Sequence, residues 1–347
     1  MMQTLRWGIL STGAIAHTFA TSLRDEPGAE LVAVGSRTAA RAAAFAQQFN
    51  IPHAHGSYEA LAADPAVDVI YIATPHPLHY PDSLLCLQAG KAVLCEKPFT
   101  LNAREAADLI AYARQHQLFL MEAMWTRFLP VMAEVRRLLA VGAIGTVQMV
   151  EADFGFWAPY QMKSRLFDPA LGGGALLDVG VYPLALASMV FGEQPQRIES
   201  VAKMGQTGVD EQSAAMLSYR GGGVAFILAA TRTRTDQTAT ITGTAGSIHL
   251  PARWWCGQRL VLAQHGQRAE VIRAPMVGNG YSHEAIAVRE AIQAGRIESD
   301  IMPLDETLGL LETMDTIRAQ VGHGVSGGGV IRPQSYGTAA SIVCRVA

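Results

Sequence analysis

The stretch of sequence that decides the fold is LRWGILSTGAIA, residues 5–16. Its first half is short and apolar, as a buried strand is, and its second half passes through a turn of small residues into a helix. Gly13 stands at the start of that helix, where backbone N–H groups favour an anion and a side chain would hold a pyrophosphate away. Ser11 replaces the first glycine of the dinucleotide fingerprint, and Ala16 keeps its third position small. The turn alone is a weak signal, with an ordinary strand-to-helix turn as the alternative.

Strands and helices alternate through the first third of the chain. The apolar runs predict strands at residues 5–10, 30–36, 67–73, 92–95 and 118–121, and helices at 14–23, 38–49, 79–89 and 103–116. Alternation at these lengths is typical of right-handed βαβ units, which build a parallel sheet. We therefore predict an N-terminal α/β domain, residues 1–123, with a doubly wound parallel sheet of the Rossmann type.

The pattern changes after this domain. A helix is predicted at residues 130–140, followed by strands at 146–156, 197–203, 213–219, 223–231, 238–242 and 247–250, and by helices at 283–294 and 304–321. Consecutive strands joined by glycine turns predict a C-terminal α+β domain, residues 124–322, with a mostly antiparallel, open-faced sheet and helices. Its last helix is free to pack back on the first domain. Residues 323–347 are predicted to be a tail without chemistry of its own.

The composition excludes several classes of protein. The 347 residues include 27 basic and 30 acidic side chains, a net charge of −3, whereas nucleic acids and anionic membranes select a basic excess. The most apolar long stretch, residues 176–191, is interrupted by Asp178, Gly180 and Pro183 and is too short to span a bilayer. The first residues lack the features of a secretory signal. We expect no nucleic-acid or membrane partner and a cytoplasmic location.

The residues after the second predicted strand bear on the choice of dinucleotide. Enzymes selective for NAD usually place a carboxylate there to bind the ribose diol, but this chain reads VGSRT at residues 34–38. Arg37 can stack on adenine or pair with a 2′-phosphate, and Ser36 and Thr38 can donate hydrogen bonds to that phosphate. The sequence therefore favours NADP over NAD, with a surface arginine as the alternative interpretation.

Two further motifs end the third and fourth predicted strands. TPHPLH occupies residues 74–79, and CEKP occupies residues 95–98. Both lie at the carboxyl ends of parallel strands, where open α/β sheets bind ligands. Pro98 also biases Lys97 away from helical geometry and keeps it extended.

These motifs, in this order, resemble the glucose-fructose oxidoreductase/inositol dehydrogenase (Gfo/Idh/MocA) family. The segment GGGALLDVGVY, residues 172–182, matches the family's second-domain motif. Most members have histidine where this chain has Tyr182. Tyrosine there, with MEAMWTRF at residues 121–128, is similar to the branch of dimeric dihydrodiol dehydrogenases, which also acts as NADP-dependent D-xylose dehydrogenase. The resemblance covers residues 5 to about 322.

The resemblance implies a catalytic pair, Lys97 and Tyr182, with Asp178 one helical turn before the tyrosine. A phenol with a pKa near ~10 is a poor base at neutral pH, and a nearby ammonium favours the phenolate. The cofactor-binding residues are then Ser11, Thr12, Gly13, Ala14, Ile15, Ser36, Arg37, Thr74, Pro75, His79, Glu96 and Lys97. The substrate-binding residues are Trp125, Arg127, Phe154, Asp178, Tyr182, Trp254 and Trp255, with the choice between the last two tryptophans left open.

The function predicted from the sequence is therefore an NADP-dependent oxidoreductase for a cyclic polyol, pyranose sugar or dihydrodiol. A dehydrogenase of the same fold for an anhydro-sugar or inositol, and a non-catalytic sugar or nucleotide sensor, remain as alternatives. His76, His79 and His283 form no metal cluster in the sequence, so no metal is expected. The open face of the second sheet needs a partner, which predicts a homodimer through that sheet.

Overall fold

The structure is a computed structural model that describes residues 4–322, and the predicted tail at 323–347 lies outside them. Two compact units make up the described residues: 4–125 with 277–308, and 126–276 with 309–322. The segment 124–322 predicted as one domain is therefore interrupted, because residues 277–308 pack within the first unit.

The first unit is built on a six-stranded sheet in which every neighbouring pair is parallel, in the order β3-β2-β1-β4-β5-β6. Strands β1 to β6 are Leu5–Leu10, Ala29–Gly35, His53–His55, Val69–Ile72, Ala92–Glu96 and Leu120–Ala123. Helices α1 to α5 are Ala14–Ser22, Ala39–Phe49, Tyr58–Ala62, His79–Gln88 and Ala103–Gln115. The predicted doubly wound Rossmann sheet is confirmed.

Aromatic side chains fill the core of the first unit beside its central strands. Trp7 and Phe19 are fully buried with ring centroids 5.3 Å apart, and Phe19 stacks on Tyr71 at 3.8 Å. These contacts fix α1 against β1 and β4, because Phe19 lies on α1 and the other two rings lie on the strands. The turn between β1 and α1 is thereby held at the carboxyl edge of the sheet.

The second unit is built on an eight-stranded sheet in the order β14-β13-β12-β11-β7-β10-β9-β8. Its strands β7 to β14 are Val147–Gly155, Arg197–Met204, Asp210–Ser218, Val224–Ala230, Ala239–Gly243, Gly246–Leu250, Arg259–Gln264 and Glu270–Arg273. All of its neighbouring pairs are antiparallel except β7 with β10. Helices α6 and α7 are Pro130–Ala140 and Val181–Phe191. The predicted mostly antiparallel sheet with helices is confirmed.

One face of this sheet is open and carries exposed apolar residues beside charged ones such as Glu151 and Glu199. Alternate residues of β9 and β10, such as Leu217 and Ile227, are buried, while Met216 and Phe226 on the other face are 42% and 41% exposed. Met216 and Phe226 are directly paired across the two strands, and Val201 on the neighbouring β8 is 70% exposed. The exposed residues therefore form a contiguous patch on the open face.

The helical stretch Pro169–Phe191 contains α7 and is the one stretch, among the described residues, that is long and apolar enough to cross a membrane. Within its most apolar window, 78% is buried inside the protein. Burial of this kind is what the core helix of a folded domain shows, since its apolar surface packs against other elements.

Helix α8, Ser282–Gln293, belongs to the first unit, and α9, Leu304–Gln320, begins there and ends in the second. Arg289 of α8 reaches the buried Glu26 at 2.9 Å, and both side chains are nearly inaccessible. An ion pair between residues so far apart in sequence fixes α8 beside the end of α1. The sequence did not predict β3, α3, β13 or β14.

Candidate active site

The carboxyl edge of the first unit's sheet collects the residues predicted to bind a dinucleotide. Ser11 follows β1, Ser36 follows β2, and Thr74 stands just after β4. Because carboxyl ends of parallel strands meet at one edge, the turns that follow them line the same side of the sheet. Lys97 follows β5 at this edge, next to the cis peptide that joins it to Pro98.

The start of α1 suits an anion. Gly13 is the N-cap, no side chain caps the helix, and its first turn, which includes Ala14 and Ile15, contains no acidic residue. The first backbone N–H groups of the helix are therefore available to a phosphate, which the helix dipole also favours. Gly13 and Ala14 are exposed, and Thr12 is half-buried.

A second observation fits the same ligand. The Thr74 hydroxyl is buried and, among the described residues, has no hydrogen-bond partner. A buried polar group without a partner is costly, and such groups in native proteins usually meet a ligand or water. The first unit thus offers an anion site and an unused hydrogen-bonding group along one edge, as a dinucleotide requires.

Ser11 adopts a backbone conformation that explains the fingerprint glycine it replaces. Its φ is +104°, a region that L-residues rarely adopt and glycine adopts freely. Its hydroxyl accepts the Gly13 backbone N–H at 3.3 Å, which partly compensates the local strain. The fold therefore keeps the geometry of the fingerprint although the sequence departs from it.

The loop after β2 holds the residues predicted to select NADP. Ser36 is buried and its backbone N–H donates to the His55 carbonyl at 3.0 Å, while Arg37 is exposed. Tyr58 of α3 faces this loop and Ser11. Burial and, after it, the Asp82 carboxylate raise the pKa of Tyr58 to about 12, against the opposing effect of Arg37. Tyr58 is thus a neutral donor beside the predicted phosphate site, and the sequence did not identify it.

His79 holds two turns together. It is fully buried, with Nδ1 2.8 Å from the Pro98 carbonyl and Nε2 2.9 Å from the Thr74 carbonyl. Burial lowers the pKa of His79 to about 4, so the ring is neutral and donates to one of the two carbonyls at a time. Pro75 precedes the short helical turn between them. His79 therefore positions the turns after β4 and β5.

Two buried carboxyl groups surround the strand end that carries Lys97. Glu96 accepts the Tyr71 hydroxyl at one carboxylate oxygen and the Lys97 backbone N–H, at 3.1 Å, at the other. Glu284 of α8 is fully buried, and neither of its oxygens has a hydrogen-bond partner among the described residues. Burial and the nearby Glu96 raise the pKa of Glu284 well above its usual range, so Glu284 is neutral. Glu284 therefore adds no negative charge behind Lys97.

In the second unit, Asp178 and Tyr182 lie on one irregular helical segment. Leu176–Gly180 winds as a π turn and continues directly into α7. Pro183 has no N–H to give to the carbonyl of the preceding turn, which interrupts the regular α ladder. π turns are rare and are found frequently at functional sites. Tyr182 follows Asp178 by four residues, which is slightly less than one turn of π-helix and slightly more than one turn of α-helix. In this mixed winding the two residues are therefore about one turn apart, and their side chains lie on one face.

Two of the three glycines before this segment are required by close contacts. A Cβ on Gly173 would lie 2.9 Å from the carbonyl oxygens of Leu166 and Asp168. A Cβ on Gly174, whose φ is +122°, would lie 2.2 Å from a carboxylate oxygen of Asp210. The Leu176 backbone N–H donates to the other Asp210 oxygen at 2.7 Å. Asp210, the first residue of β9, therefore caps the segment that carries Asp178 and Tyr182.

Asp178 is paired with a cation that the sequence did not identify. Arg165 donates to it at 2.7 Å, and the Asp178 side chain is 5% exposed while that of Arg165 is 33% exposed. Arg165 lies between β7 and α7, where no periodic pattern marks it. The ion pair fixes the Asp178 carboxylate on this segment, and its arginine partner is accessible to solvent.

Aromatic rings stand beside Tyr182. Phe154 stacks on Trp255 with centroids 3.4 Å apart and lies 5.2 Å from the Tyr182 ring. Trp254 is buried and donates its indole N–H to the Asp153 carbonyl at 2.8 Å. The two tryptophans therefore have different roles. Trp255 stacks on Phe154 next to Tyr182, and Trp254 fixes their turn to β7.

Two other predicted substrate residues have defined neighbours within their own units. Trp125 is buried and stacks on Tyr281 with centroids 4.5 Å apart. Arg127 is buried and donates to the Ala185 carbonyl of α7 at 2.8 Å. His283 accepts the Val277 backbone N–H, which closes the turn before α8. Tyr281 and Glu284, rather than His283, thus connect α8 to predicted site residues: Tyr281 stacks on Trp125, and Glu284 lies near Glu96.

Comparison with known proteins gives matches over both units. A family model described as "Oxidoreductase family, NAD-binding Rossmann fold" matches residues 5–124, and one described as "GFO/IDH/MocA C-terminal domain" matches residues 132–249. Trans-1,2-dihydrobenzene-1,2-diol dehydrogenase of Mus musculus is 42% identical over 329 residues, covering 92% of this chain and 97% of the relative. The Homo sapiens enzyme is 41% identical over 328 residues, with the same coverage.

Solved structures give the same picture. An aldose-aldose oxidoreductase from Caulobacter crescentus, complexed with glycerol, superposes with a TM-score of 0.85 at 26% identity, over 93% of this chain and 98% of its own. A 3-ketoreductase from Actinomadura kijaniata, in complex with NADP and TDP-benzene, superposes with a TM-score of 0.81 at 26% identity, over 92% and 98%.

Asp210 generates a prediction about pH. Burial raises its pKa to about 7, although the Leu176 and Ala175 backbone N–H groups and Arg318 act in the opposite direction. In the unfolded chain an aspartate titrates near ~3.9. The folded state therefore holds the proton of Asp210 more tightly than the unfolded state does. Protonation of Asp210 stabilises the fold fully below about pH 4, and this stabilisation is lost as the pH rises through about 7. Asp210→Asn, which keeps the acceptor oxygen, should gain stability relative to wild type by on the order of 2 kcal/mol between about pH 5 and about pH 7.

Urea unfolding followed by tryptophan fluorescence measures this difference, since Trp254 and Trp255 lie in the second unit. Asp236→Asn, at an exposed position, controls for the loss of one negative charge. A difference between Asp210→Asn and wild type that stays constant across this range would contradict the assignment.

Proposed function

The chain belongs to the Gfo/Idh/MocA oxidoreductase family, and we propose that it is an NADP-dependent dehydrogenase for a secondary alcohol of a cyclic polyol, pyranose sugar or trans-dihydrodiol. It is an NAD(P)-dependent oxidoreductase that acts on CH–OH groups. Tyr182 lies beside the Phe154–Trp255 stack, on the same segment as Asp178, and this placement is the main support for the proposed substrate class.

The nicotinamide, when bound, supplies the acceptor for hydride. In this proposal, Tyr182 removes the hydroxyl proton of the substrate as phenolate, and Lys97 favours the phenolate through its positive charge. Lys97 and Tyr182 lie in different units, so their pairing comes from the resemblance to the family. Within the first unit, Glu96 fixes the backbone of Lys97. Within the second, Asp210 fixes the segment that presents Tyr182.

Asp178 and the aromatic wall provide binding and orientation. Asp178, held by Arg165, accepts a hydrogen bond from a second substrate hydroxyl and so sets which hydroxyl meets Tyr182. The stacked Phe154 and Trp255 present a flat apolar surface, which suits the C–H face of a sugar or an unsaturated carbocycle. The dihydrodiol dehydrogenases, at up to 42% identity, and the aldose-aldose oxidoreductase neighbour support both substrate classes.

Removal of the phenol tests the proposed base. Tyr182→Phe should leave NADP affinity within about twofold and lower kcat by about 10²–10⁴, because it deletes one acid/base group and no cofactor contact. Initial rates with a panel of pentoses, hexoses, inositol and cyclic diols, and fluorescence titration with NADP, measure the two quantities. Tyr219→Phe is the matched control, since Tyr219 is a buried ring stacked on Phe191 at 3.9 Å.

Lys97→Met is the second variant in this test. It should raise the pKa of the catalytic base that the pH dependence of kcat/KM reports, because the phenolate loses its neighbouring positive charge. Near-normal turnover of Tyr182→Phe would exclude the proposed base. Tight NADP binding without turnover of any substrate on the panel would favour a sensor.

The loop after β2 supports NADP over NAD. No carboxylate follows the strand, Arg37 is exposed there, and Tyr58 stands beside it as a neutral donor. Arg37→Leu should weaken NADP binding by at least about tenfold and leave NAD within about twofold, because only NADP carries the 2′-phosphate. Calorimetric titration with both cofactors measures the ratio, and Arg268→Leu, an exposed arginine of the second unit, is the control for net charge. Tighter binding of NAD than NADP by the wild-type protein would contradict the assignment.

We place the enzyme in the cytoplasm. The open face of the second sheet supports a homodimer. Val201, Met216 and Phe226 expose apolar surface on neighbouring strands, and covering such a patch favours self-association. Phe226→Glu should convert the dimer to a monomer of 37.1 kDa in sedimentation velocity, because it buries a charge in the interface. Val141→Glu, at a position 65% exposed and outside the sheet, should leave the mass unchanged. A wild-type protein that sediments as a monomer would remove the proposal.

A further inference from the structure

We propose that His53, His55 and Asp64 form a binding site for a divalent transition-metal ion, with Zn²⁺ as its representative. None of the three residues takes part in the reaction proposed above. No metal was expected from the sequence, which also did not predict β3, the short polar strand that carries both histidines.

The three side chains converge because of the topology. β3 is the edge strand of the six-stranded sheet, and residues 53 and 55 of a strand project from the same face. Asp64 lies in the turn between α3 and β4. His53 Nδ1 is 2.6 Å and His55 Nε2 is 2.8 Å from the same Asp64 oxygen, Oδ2. Three possible ligand atoms thus lie within 4.8 Å of one another.

Asp64 is held in place by contacts outside the cluster. Its other carboxylate oxygen, Oδ1, accepts the Ala66 backbone N–H at 2.8 Å, and its carbonyl accepts the Lys91 ammonium at 2.6 Å. Its side chain is 4% exposed. Outer contacts that orient a ligand are a regular feature of metal sites, because they fix the ligand before the ion arrives.

The charge of the cluster also suits a cation. Burial raises the pKa of Asp64, but the Ala66 N–H and the two histidines outweigh it and lower the pKa to about 2. The carboxylate is therefore ionised at neutral pH. Two imidazoles and one carboxylate form a donor set that zinc and its neighbours in the transition series accept.

The histidines leave room for coordination. The side chains of His53 and His55 are 43% and 23% exposed, so water can complete the coordination sphere and the ion has a path from solvent. Across a tetrahedral ion with bonds of about 2.0–2.1 Å, two ligand atoms lie about 3.3 Å apart. Each imidazole must therefore retreat from Asp64 by roughly 0.6 Å, which side chains on an exposed edge strand can do.

Without metal, the same atoms form a hydrogen-bonded cluster in which the two imidazoles share one carboxylate oxygen. With metal, β3 becomes cross-linked to the turn before β4. The His55 carbonyl already accepts the Ser36 N–H, so this link extends to the loop after β2. An ion that binds the folded chain and not the unfolded chain raises thermal stability.

Zinc titration by calorimetry, after treatment with EDTA, tests the site. The wild-type protein should bind one high-affinity ion per chain with a Kd on the order of 1 μM or below, and its Tm should rise with zinc and return with EDTA. His53→Ala combined with His55→Ala should weaken this binding by at least about 100-fold and abolish the shift in Tm.

Two controls keep the test decisive. His116→Ala combined with His265→Ala removes two exposed histidines elsewhere and should behave as wild type. His53→Gln combined with His55→Gln retains side chains that can donate to Asp64, so it separates loss of metal from loss of folding. The proposal is wrong if the wild-type protein binds no zinc at about 100 μM, or if either double variant at positions 53 and 55 binds it with wild-type affinity.

Discussion

The hydrogen bond from the Leu176 backbone N–H to the buried Asp210 carboxylate fixes the point at which the segment with Asp178 and Tyr182 begins. Asp210 opens β9, so the bond ties the segment to the eight-stranded sheet. The close approach is possible only because Gly174 has no side chain. With this end fixed, the π turn and the following α-helix determine the direction of both side chains.

The first unit uses a buried carboxylate in the same way. Glu96 binds the backbone of Lys97 and the hydroxyl of Tyr71, and the neutral Glu284 stands beside it without adding charge. Burial of a carboxylate is costly, and backbone N–H groups or hydroxyls that bind it offset part of that cost. What the protein gains in each unit is a backbone fixed before ligands bind, which reduces the reorganisation that a reaction requires.

Most elements of the first unit could be predicted because their apolar runs are long and regular. β1 matches its predicted bounds, and α6 in the second unit does so too. β3 and α3 were missed because both are short, and β3 reads His-Ala-His, without an apolar face. The π turn was also missed, since the segment is apolar on every side and periodicity carries no signal there.

The sequence by itself determined the order of the motifs, the two kinds of sheet and the inventory of reactive groups, because these follow from residues adjacent in the chain. Only the tertiary structure decided that Arg165 pairs with Asp178, that Trp255 rather than Trp254 stands beside Tyr182, and that two histidines meet Asp64. The physical reason is that these contacts join separate elements, and their distances depend on how whole strands and helices pack. Spacing along the chain does not encode that packing.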